Sequence, residues 1–209
     1  MKNKQTGFTI IELLIATLVF SVILLLATSG LLQIGRLYNK GVINSRTQEV
    51  ARTIMEDISQ SIQFNGGNVT PAIMSSGVAP NTSTGFCIGQ RRYSMILGKE
   101  MADTSTSHGL VADTITSSCT TSVAALDLSQ TSPPGANNPR EFLAPFMRIA
   151  YLDVTSYGNN LYRISLRLAY GDDDLLTSLT GYTAQCKDED GTQFCSTAEL
   201  STIIQKRVK

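Results

Sequence analysis

The sequence predicts an α+β protein: one long N-terminal helix, apolar in its first half and amphipathic in its second, packed on an antiparallel β-sheet head. Three observations carry this. No charged residue occurs between Glu12 and Arg36. No proline interrupts residues 8–66. Beyond that, the pattern changes from helical spacing to strict alternation, as in Leu161–Tyr170, where Ile164, Leu166 and Leu168 face one way and Arg163, Ser165 and Arg167 the other.

Composition narrows the function. The 209 residues are 42% hydrophobic and 16% charged, below the ~25% usual for a globular chain. Charge-driven disorder and a charge-laced coiled coil are excluded. A formal net charge of zero argues against an electrostatic nucleic-acid binder.

Taken in order, the run Leu13–Gly35 has 23 residues without a charge. As a helix rising about 1.5 Å per residue it reaches roughly 35 Å, enough for a hydrocarbon core of about 30 Å. A cleaved secretory signal is the competing reading, but the run is too long and lacks a clear A-x-A site. Lysines at 2 and 4 precede the run, and Arg36 and Lys40 follow it, so charge counting alone leaves orientation open.

The opening Met1-Lys-Asn-Lys-Gln-Thr-Gly7-Phe8-Thr9-Ile10-Ile11-Glu12 resembles the class III signal of type IV pilins and type II secretion pseudopilins. The resemblance covers about the first 30 residues. It implies that prepilin peptidase cuts after Gly7 on the cytoplasmic side, that Phe8 becomes the N-methylated first residue, and that the apolar segment is retained. It also implies partnership with other pilin or pseudopilin subunits and with membrane lipid. Enzyme motifs are absent from the residues themselves, so no cofactor and no enzymatic activity are expected. The head would lie outside the cytoplasm. More diffusely, Arg46–Phe64 and the long loops resemble minor pilins of the PilW type and J-type pseudopilins. A carboxylate beside an apolar run needs a partner. Cleavage would place an α-amino group on Phe8, and Glu12 of one subunit could meet that group on the next, fixing axial register. Losing the leader's lysines leaves 15 basic against 17 acidic side chains.

The expected organisation is a leader at 1–7, a membrane and filament-core helix at 8–35, an amphipathic helix at 36–64 and a β-rich head at 65–209. Ile43, Val50, Ile54, Ile58 and Ile62 form the inward face of the amphipathic part. Gly30, Gly35 and Gly41 weaken the helix locally, and Gly66-Gly67 ends it. Residues 66–85 and 103–139 read as surface loops. Strands are expected at Phe86–Leu97, Phe146–Val154 and Leu161–Tyr170, with Tyr157-Gly158-Asn159-Asn160 as a hairpin loop. A further strand is expected at Leu175–Thr183, and Glu199–Val208 reads as either a terminal strand or a short helix, with the strand favoured.

Outside the cytoplasm, disulfides are permitted. Four cysteines allow three connectivities. Cys186–Cys195, closing a short turn, with Cys87–Cys119 is the favoured set, and a C-terminal disulfide of this kind is frequent in pilins. No close CxxC pair supports zinc. Asp188-Glu189-Asp190-Gly191 holds only a fragment of a calcium loop and reads as a solvated acidic turn. His108 reads as a solvated loop residue, without a nucleophile elbow or phosphate loop beside it. Arg91-Arg92-Tyr93 and Lys206–Lys209 have the basic and aromatic character of single-stranded DNA or surface-ligand contacts, but surface ion pairing is the preferred reading.

Overall fold

The computed structural model describes residues 9–65, 69–71, 82–101, 108–116, 123–188 and 191–207. It has one long helix and antiparallel sheets. Residues 1–39 and 40–209 form two compact units.

In the first unit the described chain is helical from Ile10, the start of α1 (Ile10–Phe64). Its side chains from Ile10 to Leu37 are almost all exposed, including Leu25 at 70% and Leu26 at 68%. Thr17, Ser21 and Ser29 turn their hydroxyls back onto the carbonyls of Leu14, Thr17 and Leu26 at 3.0, 2.8 and 2.9 Å, and Thr28 does the same to Leu24. Such back-bonding satisfies polar groups within the helix, which hydrocarbon requires. An ideal Cβ built on Gly30, Gly35 or Gly41 meets nothing within 4 Å, so no contact inside the chain demands these glycines.

The second unit begins inside α1 and, among the described residues, carries eight strands in two sheets. Strands β1 (Val69–Pro71), β2 (Thr84–Ile88), β3 (Arg91–Met95), β4 (Leu110–Thr114) and β5 (Arg140–Glu141) form one antiparallel sheet in that order. Strands β6 (Met147–Gly158), β7 (Leu161–Tyr170) and β8 (Ser196–Gln205) form the other. Ile54, Ile58 and Ile62 of α1 are fully buried and share one core with Phe86, Tyr93 and Leu110 of the first sheet and Ile149, Ile164, Leu166 and Leu168 of the second. Burying each such side chain contributes roughly 1.5–3 kcal/mol, which holds the amphipathic half of α1 to the head. Ile43 and Val50, expected on the same face, are only half-buried. The β6–β7 turn uses Asn159 and Asn160 at φ 51° and 60°, the left-handed pair of a type I′ hairpin, which asparagine tolerates well.

Several expectations need correction. The single strand expected at Phe86–Leu97 is a hairpin, because Gly89 takes φ 61° and turns the chain between β2 and β3. The loop expected over 66–85 contains β1, and that over 103–139 contains β4, whose Val111 and Ala112 are buried. Leu175–Thr183 is no strand: it begins in a 3₁₀ turn at Asp173–Leu175 and then runs irregularly, with only an isolated bridge from Leu176 to Cys186. The terminal strand starts three residues earlier than expected, at Ser196.

Candidate assembly site

The start of α1 is where the sequence places its chemistry. Thr9 precedes the first helical residue, and its Oγ1 accepts the backbone N–H of Glu12 at 3.3 Å. In return, Glu12 Oε2 accepts the Thr9 backbone N–H at 3.0 Å and the Thr9 hydroxyl at 2.8 Å. This reciprocal arrangement is a capping box, which satisfies two of the otherwise unpaired donors of a helix N-terminus. Its signature, Thr9-x-x-Glu12, stands in the sequence but was missed there, where Glu12 was read only for pairing between chains. Oε1 of Glu12 has no hydrogen-bond partner among the described residues. Gly7 and Phe8 lie outside the described residues. C-terminal to Glu12, the exposed apolar surface of α1 carries no charge as far as Gly35. Among the described residues, α1 is the one helix long and apolar enough to cross a membrane.

The head is tied to the second half of α1 by a polar cluster as well as by the core. Arg91 forks onto Asp57, with Nε and Nη2 donating to the two carboxylate oxygens at 3.1 and 2.9 Å. Tyr93 Oη lies 2.7 Å from the same carboxylate and 2.8 Å from Ser61 Oγ. Burial pushes the Tyr93 phenol well above its ordinary value of 10, so it stays a donor at physiological pH. Neighbouring Arg92 is buried and forks onto Asp113 at 2.9 and 2.7 Å. Its Nη1 and Nη2 also donate to the carbonyls of Ala124 and Gly135 at 2.9 and 3.1 Å, pinning the irregular segment 123–139. These arginines, read from sequence as surface pairs or nucleic-acid contacts, are internal clamps. Sequence reasoning missed this because their partners lie 34 and 21 residues away.

Cys186 and Cys195 form a disulfide. Cys87 is also disulfide-bonded, and its expected partner, Cys119, lies outside the described residues. His108 is half-buried rather than freely solvated: its Nδ1 lies 3.3 Å from Glu141 Oε2 and its Nε2 3.1 Å from the Thr131 carbonyl. Asp188 is described but Glu189 and Asp190 are not, and among the described residues no cluster of acids, histidines or cysteines suits a metal ion. Lys206 and Arg207 donate their backbone N–H groups to Asn160 and Gln63, while Val208 and Lys209 lie outside the described residues.

Comparison with known proteins is informative at the same end of the chain. The prokaryotic N-terminal methylation motif matches residues 2–28. No curated protein and no solved structure matches the chain. Through residues 2–28 the chain carries the N-terminal methylation motif that is the signature of type IV pilins and pseudopilins.

Proposed function

We propose that the chain is a minor type IV pilin or pseudopilin, a structural subunit built into a pilus-like filament through its N-terminal helix. Prepilin peptidase cleaves after Gly7, Phe8 is methylated, and the subunit waits in the cytoplasmic membrane with its head outside. Assembly then exchanges lipid for neighbouring helices around Leu13–Gly35. The observation that carries this reading is the unburied apolar first half of α1, residues 10–35, whose one carboxylate sits in its first turn with Oε1 unengaged. Glu12 keeps its own helix start capped through Oε2 and offers Oε1 to the α-ammonium of a neighbour's Phe8. A head of about 145 residues favours a minor or priming subunit over the major one. The Cys186–Cys195 disulfide accords with an oxidising compartment.

The test is mass spectrometry of the protein from cells with active prepilin peptidase, together with sedimentation of sheared filaments. The expected product begins at a methylated Phe8 and appears in the filament fraction at low abundance. A chain that still begins at Met1 and never sediments with fibres overturns the reading; high abundance makes it a major pilin.

A further inference from the structure

Among the described residues the two sheets have four edges, and these are unlike one another. β1 is three residues long and ends in Pro71, and β5 has two residues. β6 is bulged twice, between Ile149 and Tyr151 and between Ser156 and Gly158. Its first residues are also covered, since the carbonyls of Met147, Ile149 and Ala150 accept from the N–H groups of Met101, Gly98 and Gly181. Short length, proline, bulges and cover are the devices by which sheets avoid pairing with other chains. β8 has none of them. It pairs with β7 over all ten residues without a register shift and contains neither proline nor lysine.

The register shows what β8 leaves open. The Lys206 N–H donates to the Asn160 carbonyl at 2.8 Å, directly continuing the β7–β8 ladder. In an antiparallel ladder, hydrogen-bonded pairs recur at every second residue, so the even-numbered residues of β8 bond to β7. The backbone N–H and C=O groups of Thr197, Glu199, Ser201, Ile203 and Gln205 point away from β7. Among the described residues no backbone hydrogen bond reaches them. The next odd-numbered residue, Arg207, donates to the Gln63 carbonyl at 3.2 Å and closes that end of the edge. On the same strand Ile203 is 66% exposed.

We propose that β8 is an acceptor edge for an extended segment of a different polypeptide, which adds a fourth strand to the β6–β7–β8 sheet. A row of alternating donors and acceptors at strand spacing is matched by an extended backbone and by little else. Glu199 is the one charged residue of β8, and Arg167 holds it at 2.5 Å. The incoming strand therefore sets a neutral or basic residue beside Glu199 and a β-branched or aromatic one beside Ile203. A second copy of the chain fits poorly. β8 runs in the same direction as Lys40–Phe64, because Ser196 contacts Asn44 and Arg207 contacts Gln63. An antiparallel β8–β8 ribbon would oppose those helix segments, and a parallel one would put them on opposite faces of the joined sheet. The proposal goes beyond the subunit reading and rests on it to exclude a second copy, because two helices that run in opposite directions, or lie on opposite faces of one sheet, cannot enter one filament core together.

Amide hydrogen exchange of the full chain tests it, compared between membranes and filaments of cells carrying the chain's own assembly machinery and the detergent-released monomer. The even-numbered amides of β8 are expected to be slow in both. The odd-numbered amides are expected to be fast in the monomer and slower by on the order of 100-fold in the native fraction. In Ser201→Pro, which removes an outward N–H and spares the β7 ladder, the even amides stay slow and the native protection of the odd ones is lost. Odd amides that are fast in both states, or already slow in the monomer, overturn the proposal. A disulfide-linked homodimer from Ile203→Cys in the native fraction would overturn the choice of a different polypeptide. The mass of the same preparation reports separately whether the chain begins at Phe8 or Met1, so failure of the subunit reading is seen independently.

Discussion

Glu12 answers two demands with one side chain, and two substitutions separate them. Glutamine at the third helical position still returns a hydrogen bond to the capping residue, whereas alanine cannot. Glu12→Gln is therefore expected to keep the first turn of α1 intact while losing filament incorporation, since the charge is gone. Glu12→Ala is expected to lose both, because alanine returns no hydrogen bond to Thr9. Amide exchange at Ile10–Leu13 reads the first effect, and subunit content in sheared filaments reads the second. Normal incorporation of Glu12→Gln would remove the charge-pairing role. The buried arginines make the opposite point. Arg148 is wholly enclosed, donating to Glu100 at 2.8 Å, to the Gly171 carbonyl at 2.6 Å and to Asp173. Read in sequence, it is simply a charged residue near the start of an expected strand. Glu12 stands out because its neighbours along the chain are all apolar; Arg148 does not, because its partners lie 48, 23 and 25 residues away.

Among the elements, the corner joining β4 to β5 depends on one acid. Glu141 accepts the backbone N–H groups of Gly109, Leu110, Phe142 and Leu143 at 3.2, 3.1, 3.0 and 2.9 Å. Burial nevertheless raises its pKa above the ordinary 4.5, against the lowering effect of those donors. A raised carboxyl pKa means that the folded state holds the proton to higher pH than the unfolded chain does. The corresponding stability is fully present below the ordinary carboxyl range and is lost as pH rises through the raised value. Melting temperature is thus expected to fall over that window, and Glu141→Gln is expected to flatten this part of the profile. A wild-type profile parallel to that of Glu141→Gln would show that the acid does not titrate in this way. Strand β4 was hidden in the sequence inside a Ser/Thr-rich stretch, because five residues are too few to establish a period against such flanks. The alternation of β7 over ten residues was plain.

For the molecule as a whole, the segment between β7 and β8 has little regular structure and is held from both ends. Arg167 donates to the carbonyls of Tyr182 and Ala184, Arg148 bonds to the carbonyl of Gly171, and the Cys186–Cys195 disulfide closes the far side. Replacing both cysteines with serine frees a loop of nine-residue separation, which chain entropy values at about 2.5–3 kcal/mol. The variant is expected to unfold at lower urea concentration, with amides of 171–188 the first to exchange. An unchanged midpoint would show that the arginine contacts alone hold the segment.

The sequence by itself determined the long helix, its division into apolar and amphipathic parts, the strand pattern of β7 and the methylation motif. Each of these is written in neighbouring residues, through period, composition or a short contiguous signature. Only the tertiary structure decided that Arg91 and Arg92 are clamps, that residues 110–114 form a strand, and that β8 ends the second sheet with one side open. Those outcomes depend on which distant segments meet, and a buried charge or a sheet edge acquires its meaning only from what stands, or does not stand, beside it.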